Sequence, residues 1–204
     1  MSDARTEMLN RIRDALSDRP EAGEIPRDYD LHREYPDLLA LTQERIADYK
    51  ADVRRVSAAH LRTEIAAALS RRNAATVIAP PGLPTEWRTP EVTWLDDTPL
   101  TLDELDAADG VVTGCAVTIA ETGTIVLDAG AAQGRRALTL VPDYHLCVIE
   151  SHQVVATVPE ALGRLDTTRP LTFISGPSAT SDIELDRVEG VHGPRTLDVL
   201  LVHP

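Results

Sequence analysis

Short apolar runs alternate with helix-like segments from residue 75 to the end of the chain. Two Thr-x-x-Glu pairs have the capping-box spacing that begins a helix: Thr101 with Glu104, before a helix over 102–108, and Thr157 with Glu160, before a helix to about residue 165. Short strands alternating with capped helices predict an α/β sandwich around a largely buried sheet. The apolar runs that predict strands span 75–79, 92–95, 111–113, 124–127, 137–141, 145–149, 171–175 and 196–202.

The first seventy residues have helical rather than strand periodicity. Apolar residues recur at helical spacing in a first short stripe, which ends at Pro20 and Pro26. A second set predicts one long or two consecutive amphipathic helices from residue 46 to about 72. We therefore expect an N-terminal helical segment over 1–72 and an α/β domain over 73–204, which together form one structural unit, with the first helix on its own domain or on a neighbouring subunit. The two stripes are Met8, Leu9, Ile12 and Leu16, and Ile46, Tyr49, Val53, Val56, Leu61, Ile65, Ala68 and Leu69.

Composition and charge narrow the class of partner. The chain has 204 residues, 43% of them apolar, and its 20 Lys and Arg against 33 Asp and Glu give a net charge of −13. So acidic a chain is a poor candidate for binding nucleic acid through a basic face or docking on anionic lipid. The N-terminus lacks an apolar signal region and no run of 18 apolar residues occurs, so we expect a cytoplasmic protein without membrane insertion.

The number of cysteines limits the redox chemistry that this chain can carry out. Cys115 and Cys147 stand 32 positions apart without a CxxC pattern, so the chain alone cannot hold a four-thiolate zinc or iron–sulfur site. The two thiols could form one disulfide, although nothing indicates a disulfide framework. The usual fingerprints of dinucleotide binding, P-loops, zinc proteases and serine hydrolases are also absent from the sequence.

Three unusual segments follow or separate predicted strands, where open α/β sheets tend to bind ligands. The first contains Glu121, Thr122, Gly123 and Thr124. Its carboxylate could serve as a nucleophile, a general base or an acceptor for a substrate hydroxyl. The alternative is a hairpin turn with a solvated glutamate.

The second segment, 174–184, leaves a strand and combines glycine with hydroxyl side chains. Such a turn can form an anion-binding nest at the start of a helix. Ser181 and Glu184 also have capping-box spacing, and the two interpretations are compatible because a capped helix start also attracts anions. The candidate ligand-binding residues here are Ser175, Gly176, Ser178, Thr180 and Asp182.

The third segment places His192 between glycines, next to Gly193. An imidazole with a pKa of about 6.5 suits proton transfer, although a histidine in a glycine-rich turn is often structural. The same alternatives hold for His145. Arg135 and Arg136 could bring positive charge to a carboxylate or phosphate, or lie on a surface loop. No ligand spacing favours a metal site among Glu121, Asp128, Asp143, Asp182 and the histidines.

These three segments resemble the lactate utilization protein C family. The matching motifs span 120–124, 175–184 and 190–194, occur in the family's order within roughly 75–204, and depart from its pattern at Ser181. The resemblance implies a three-layer α/β sandwich of the ribose-5-phosphate isomerase and CoA-transferase type. It also implies participation, with two iron–sulfur partner proteins, in oxidation of L-lactate to pyruvate. We accordingly expect no cofactor on this chain, with the clusters held by the partners.

Three functional hypotheses remain open at this point. The first is a cluster-free subunit of a lactate-oxidising system that holds a small anionic ligand at 175–184, with Glu121 and His192 facing it. The second is a stand-alone CoA-transferase-like or sugar-phosphate-isomerase-like enzyme, in which Glu121 would act by analogy with the fold. The third is a structural protein whose N-terminal helices form a homo-oligomerisation arm.

Overall fold

The computed structural model describes residues 4–18, 23–27, 30–180, 188–189 and 193–204, with only the backbone described at 179, 180, 188 and 189. The chain forms two compact units, Met1–Asp30 and Leu31–Pro204, which differ from the predicted limits 1–72 and 73–204. In the first unit, the predicted helix is confirmed as α1 (Ala4–Ala15), none of whose residues is buried.

The second unit contains four helices and twelve strands among its described residues. The helices are α2 (Leu38–Asp48), α3 (Leu61–Arg71), α4 (Leu102–Asp106) and α5 (Val158–Arg164). The strands are β1 (Asp52–Ser57), β2 (Thr76–Ala79), β3 (Thr93–Asp96), β4 (Gly110–Thr113), β5 (Val117–Ile119), β6 (Thr124–Leu127), β7 (Tyr144–Glu150), β8 (Val154–Val155), β9 (Thr172–Ile174), β10 (Ala179–Thr180), β11 (Val188–Glu189) and β12 (Thr196–His203).

A six-stranded parallel sheet forms the centre of this unit, in the order β1-β12-β7-β4-β2-β3. β12 is buried along most of its length because β1 and β7 pair with it on either side. A second sheet, ordered β8-β5-β6-β9, contains the antiparallel hairpin of β5 and β6. The α/β class predicted from alternating strands and helices is confirmed.

The apolar residues separate into layers. α3 packs on one face of the large sheet, where Ile65 and Leu69 join a core with Leu146 and Leu200. α2 and the small sheet cover the opposite face, and Ile46 lies in that second core. α5 covers the outer side of the small sheet. Its cluster contains Val117, Ile119, Val126, Val155 and Ala161.

Of the two predicted alternatives for residues 46–72, one long helix is wrong, and two helices, α2 and α3, are present; β1 lies between them, where no strand was predicted. Lys50 follows α2 with a φ of 67°, a left-handed conformation that ends the helix. Val53 and Val56 then pair with Val199 and Val202 of β12. Their spacing suits a helical face equally well, and long-range pairing with β12 decides the outcome.

The predicted strand over 137–141 is also wrong. Residues Arg136–Thr139 form a turn of 3-10 helix, and the N–H groups of Leu140 and Val141 both donate to the carbonyl of Ala137. Leu138 is fully buried in a cluster with Ile78, Leu105 and Val111. The apolar run therefore reflects burial and not strand pairing.

The capping boxes and the remaining short apolar runs gave predictions that agree with the structure. Both capping boxes are present, at the starts of α4 and α5, and the other predicted strands are confirmed with shifts of at most one residue at their ends. No helix within the described residues is long and apolar enough to cross a membrane.

Candidate functional site

A cavity of about 350 Å³ lies beside the amino ends of β7 and β12, next to the β9 strand of the small sheet. Its volume is at the lower end of the range typical of ligand pockets. Its position differs from our expectation, since open α/β sheets usually bind ligands beyond the carboxyl ends of their strands. The lining residues are Arg136, Thr139, Leu140, His145, 172–178, Gly193, Pro194 and Leu197.

The second and third sequence motifs meet at this cavity. The N–H of Ser178 donates to the carbonyl of Pro194 over 2.8 Å, and Ser175, Gly176 and Gly193 line the same space. The structure thus brings together four of the predicted ligand-binding residues, Ser178 included. Asp182, His192 and the side chain of Thr180 lie outside the described residues, so their roles stay predictions.

Gly123 and Gly176 allow their loops to approach the end of α2 closely. Gly176 has a φ of 86°, and a side chain there would collide with Tyr49. Gly123 has a φ of 59°, and a Cβ atom would lie 2.6 Å from the carbonyl carbon of Arg45. Only glycine combines a left-handed backbone with so close an approach.

A hydroxyl pair links the first motif to the second. The Oγ1 of Thr124 and the Oγ of Ser175 are 2.9 Å apart. Thr122 donates from its hydroxyl to the hydroxyl of Thr124 over 2.8 Å. Thr122, Gly123 and Thr124 therefore support the loop that lines the cavity and do not line it themselves.

Glu121 lies in the turn between β5 and β6, which confirms the hairpin, and it does not line the cavity. Its carboxylate accepts a hydrogen bond from the hydroxyl of Tyr35 over 2.5 Å and another from the Arg33 guanidinium over 2.9 Å. The side chain is 26% exposed. The geometry thus makes Glu121 an anchor for residues 33–35, apart from the cavity that 175–178 line. The expectation that it faces a ligand at 175–184 stays a prediction.

The Arg135 and Arg136 pair divides between two roles. Arg135 donates to Asp97 over 2.9 Å, and this hydrogen bond lowers the pKa of the Asp97 carboxyl although burial opposes the shift. Arg136 lines the cavity and is exposed to solvent, so it lies at the cavity opening. Within the described part of the chain, its guanidinium has no carboxylate partner.

His145 forms part of the cavity wall from the second residue of β7. It is 1% exposed, and its Nε2 lies 2.7 Å from the hydroxyl of Thr113. Burial lowers the pKa of His145 to about 4, so the imidazole is neutral at pH 7. The Thr113 contact is the only hydrogen bond of this imidazole to the described residues, which leaves Nδ1 for a ligand.

Both cysteines are buried free thiols between the sheets. A hydrogen bond with Cys115, together with burial, raises the pKa of Cys147 well above its usual value. A protonated, buried thiol is a poor nucleophile and a poor metal ligand. Across the ranges that the structure describes, no group of three or more His, Cys, Asp and Glu side chains could hold a metal ion.

Several known proteins are similar to this chain in fold or in sequence. A solved structure of a DUF162 family protein from Deinococcus radiodurans matches with a TM-score of 0.72 and 47% identity, over 81% of this chain and 96% of that one. A protein named lactate utilization protein C from Deinococcus radiodurans is 50% identical over 98% of this chain and 96% of its own length. A relative of the same name from Shouchella clausii is 30% identical over 78% of this chain and 76% of its own length. The LUD domain profile matches residues 100–202. The chain belongs to the LUD domain family.

The resemblance to lactate utilization protein C is thereby confirmed. All lining residues of the cavity fall inside the matched LUD domain region, whereas α2, β1 and α3 precede it. The sequence did not identify three residues of the site as ligand-binding. Arg136 and His145 each had a second, structural interpretation, and Thr139 lies in a segment predicted to be a strand.

Proposed function

We propose that this LUD domain protein is a cluster-free subunit of a lactate-utilization system, and that it takes part in oxidation of L-lactate to pyruvate together with iron–sulfur partner proteins. The observation that carries the proposal is the 50% identity to a lactate utilization protein C over nearly the whole of both chains. Identity at that level over that length supports a shared role as well as a shared fold.

The chemistry of the two cysteines supports the proposal that the iron–sulfur clusters belong to partner proteins. Oxidation of lactate to pyruvate removes two electrons and two protons, which an acceptor must take. Cys115 and Cys147 are buried, and the raised pKa of Cys147 keeps it protonated, so neither is placed to ligate a cluster. In this proposal the electrons pass to clusters on the partner proteins, and the reaction takes place in the cytoplasm.

Gene deletion and affinity capture test the proposal. We expect a strain that lacks the gene to grow poorly with L-lactate as carbon source and normally with pyruvate, and the wild-type gene to restore growth. Capture of the tagged protein from lactate-grown cells should recover cysteine-rich iron–sulfur proteins. Normal growth of the deletion strain on L-lactate would refute the proposal.

The geometry gives less support to a stand-alone acyl-transfer or isomerase reaction. Such a reaction needs Glu121 as nucleophile or base, and that carboxylate is held by Arg33 and Tyr35 away from the cavity. Glu121→Gln would keep the hydrogen bond from Tyr35. If the variant restores growth of the deletion strain as well as the wild type does, Glu121 is not a nucleophile in this process.

A further inference from the structure

We infer that the cavity beside the amino ends of β7 and β12 is a binding site for a small monocarboxylate, with Arg136 holding the carboxylate and His145 the polar group next to it. Carboxylate binding is argued from the cavity alone. The narrower choice of a 2-hydroxy or 2-oxo acid rests on the function proposed above.

The charge of Arg136 is the first support. Several arginines of this chain, although not all, pair with acidic side chains, as Arg135 does with Asp97, Arg72 with Asp198 and Arg195 with Asp143. Arg136 has no such partner among the described residues, although the chain carries a net charge of −13. A guanidinium presents a planar pair of N–H donors that matches a carboxylate, so an anionic ligand would supply the missing partner.

The buried polar group is the second support. His145 uses one ring nitrogen toward Thr113, and its other nitrogen has no partner in the described part of the protein. That nitrogen is not among the described buried atoms that lack a hydrogen-bond partner, so it contacts solvent and is open to a ligand from the cavity. A neutral imidazole can donate to a keto oxygen or pair with a hydroxyl without adding charge. This recognition suits a polar group on the carbon beside a carboxylate.

The remaining walls favour a small and partly apolar molecule. Leu140, Ile174 and Leu197 line the cavity together with the hydroxyls of Ser175 and Thr139. Among the described residues of the lining, a multiply charged phosphate would meet one cation, Arg136, within a strongly acidic protein. A short monocarboxylate places its single charge at Arg136 and its alkyl group against the leucines.

Isothermal titration calorimetry on the full-length protein tests the assignment. The probes are L-lactate, pyruvate, propionate and inorganic phosphate. We expect L-lactate and pyruvate to bind more tightly than phosphate, and Arg136→Gln to weaken their binding at least about tenfold, as for loss of one charge-assisted interaction. Arg136→Lys should retain part of the affinity. Arg71→Gln is the matched control, because Arg71 is an exposed arginine at the end of α3, on the other face of the large sheet.

Propionate lacks the hydroxyl of lactate, so it isolates the contribution of His145. The wild type should prefer L-lactate to propionate, and His145→Gln should reduce that preference about tenfold while propionate binding changes little. Circular dichroism checks that each variant is folded. Absence of carboxylate binding at millimolar concentration, or equal binding by the wild type and Arg136→Gln, would overturn the inference.

The outcome is separable from that of the function proposed above. If carboxylates bind through Arg136 while the deletion strain grows normally on L-lactate, the site stands and the lactate function fails. If the deletion strain cannot use L-lactate while the protein binds no carboxylate, the function stands and the site assignment fails.

Discussion

The buried imidazole of His145 makes a contribution of its own to the pH dependence of stability. Its pKa is about 4 in the folded state because of burial, and about 6.5 when exposed. Between these values the unfolded chain binds the additional proton, so stability falls as the pH drops from 6.5 toward 4. We predict that the wild type loses about 2 kcal/mol more than His145→Gln when the pH is lowered from 7 to 5.

Urea unfolding of both proteins at the two pH values measures this difference. Glutamine does not titrate, and all other ionisable groups are common to the two proteins, so their contributions cancel. Equal losses in the wild type and the variant would show that the His145 pKa is not depressed in the folded protein.

Gly176 is the second residue with a consequence that can be measured. Its left-handed backbone and its approach to Tyr49 leave no place for a methyl group. We predict that Gly176→Ala destabilises the protein by about 3 kcal/mol, from backbone strain and overpacking together.

Gly163 provides the opposite control. It lies in α5, and no atom lies within 4 Å of the place that a Cβ atom would take there. Gly163→Ala should stabilise the protein by about 0.5–1 kcal/mol, because alanine is the better helix former. Thermal or urea unfolding measures both effects, and two changes of the same sign would contradict the prediction.

At the scale of elements, the two capping threonines differ in the hydrogen bonds that their hydroxyl groups donate. Thr101 caps α4 and donates from its hydroxyl to the Glu104 carboxylate over 2.8 Å, whereas Thr157 caps α5 and donates from its hydroxyl to the carbonyl of Leu31 over 3.0 Å, outside its own helix. We predict that Thr101→Ala costs about 1 kcal/mol and Thr157→Ala about 2 kcal/mol of unfolding free energy. Urea unfolding of the two variants compares them directly, and equal losses would mean that the Leu31 contact contributes no more than the Thr101 contact with Glu104.

The same elements show why some structure could be predicted from the sequence. A capping box is complete within four residues, so Thr101 with Glu104 identifies the start of α4 without knowledge of the fold. β1 forms because β12 offers it a partner about 145 residues later, and no local pattern contains that information. The 137–141 segment failed for a related reason, since an apolar run indicates burial and not the type of element.

At the scale of the whole molecule, the sheet needs the segment before residue 73. β1 forms one edge of the large sheet, and α2 and α3 each cover one of its faces. We predict that a chain shortened to residues 31–204 folds cooperatively, whereas one shortened to 73–204 aggregates because it exposes the face under α3, the part of the opposite face under α2, and the edge of β12. Size-exclusion chromatography and circular dichroism distinguish the two, and a monomeric, cooperative 73–204 chain would contradict the prediction.

The candidate site could be predicted only in part for the same reason. The second and third motifs were recognised as ligand-binding segments, and Ser178 and Gly193 do meet at one cavity. The partners of Glu121 are 86 and 88 residues away in sequence, so nothing near the glutamate indicated that Arg33 and Tyr35 would occupy it. The role of Arg136 emerges only once the cavity that it lines is seen, because nothing near it in the sequence distinguishes it from the other arginines.

The end of α2 contacts two loops of the small sheet, the turn between β5 and β6 and the loop that follows β9. Gly123 in the hairpin turn and Gly176 beside the cavity both press on Arg45–Tyr49, and Thr124 and Ser175 join the loops directly. Neither loop can shift toward the helix on its own, so a displacement of α2 must move both. The two glycines therefore fix the hairpin turn and the 175–178 loop in one position against the same end of α2.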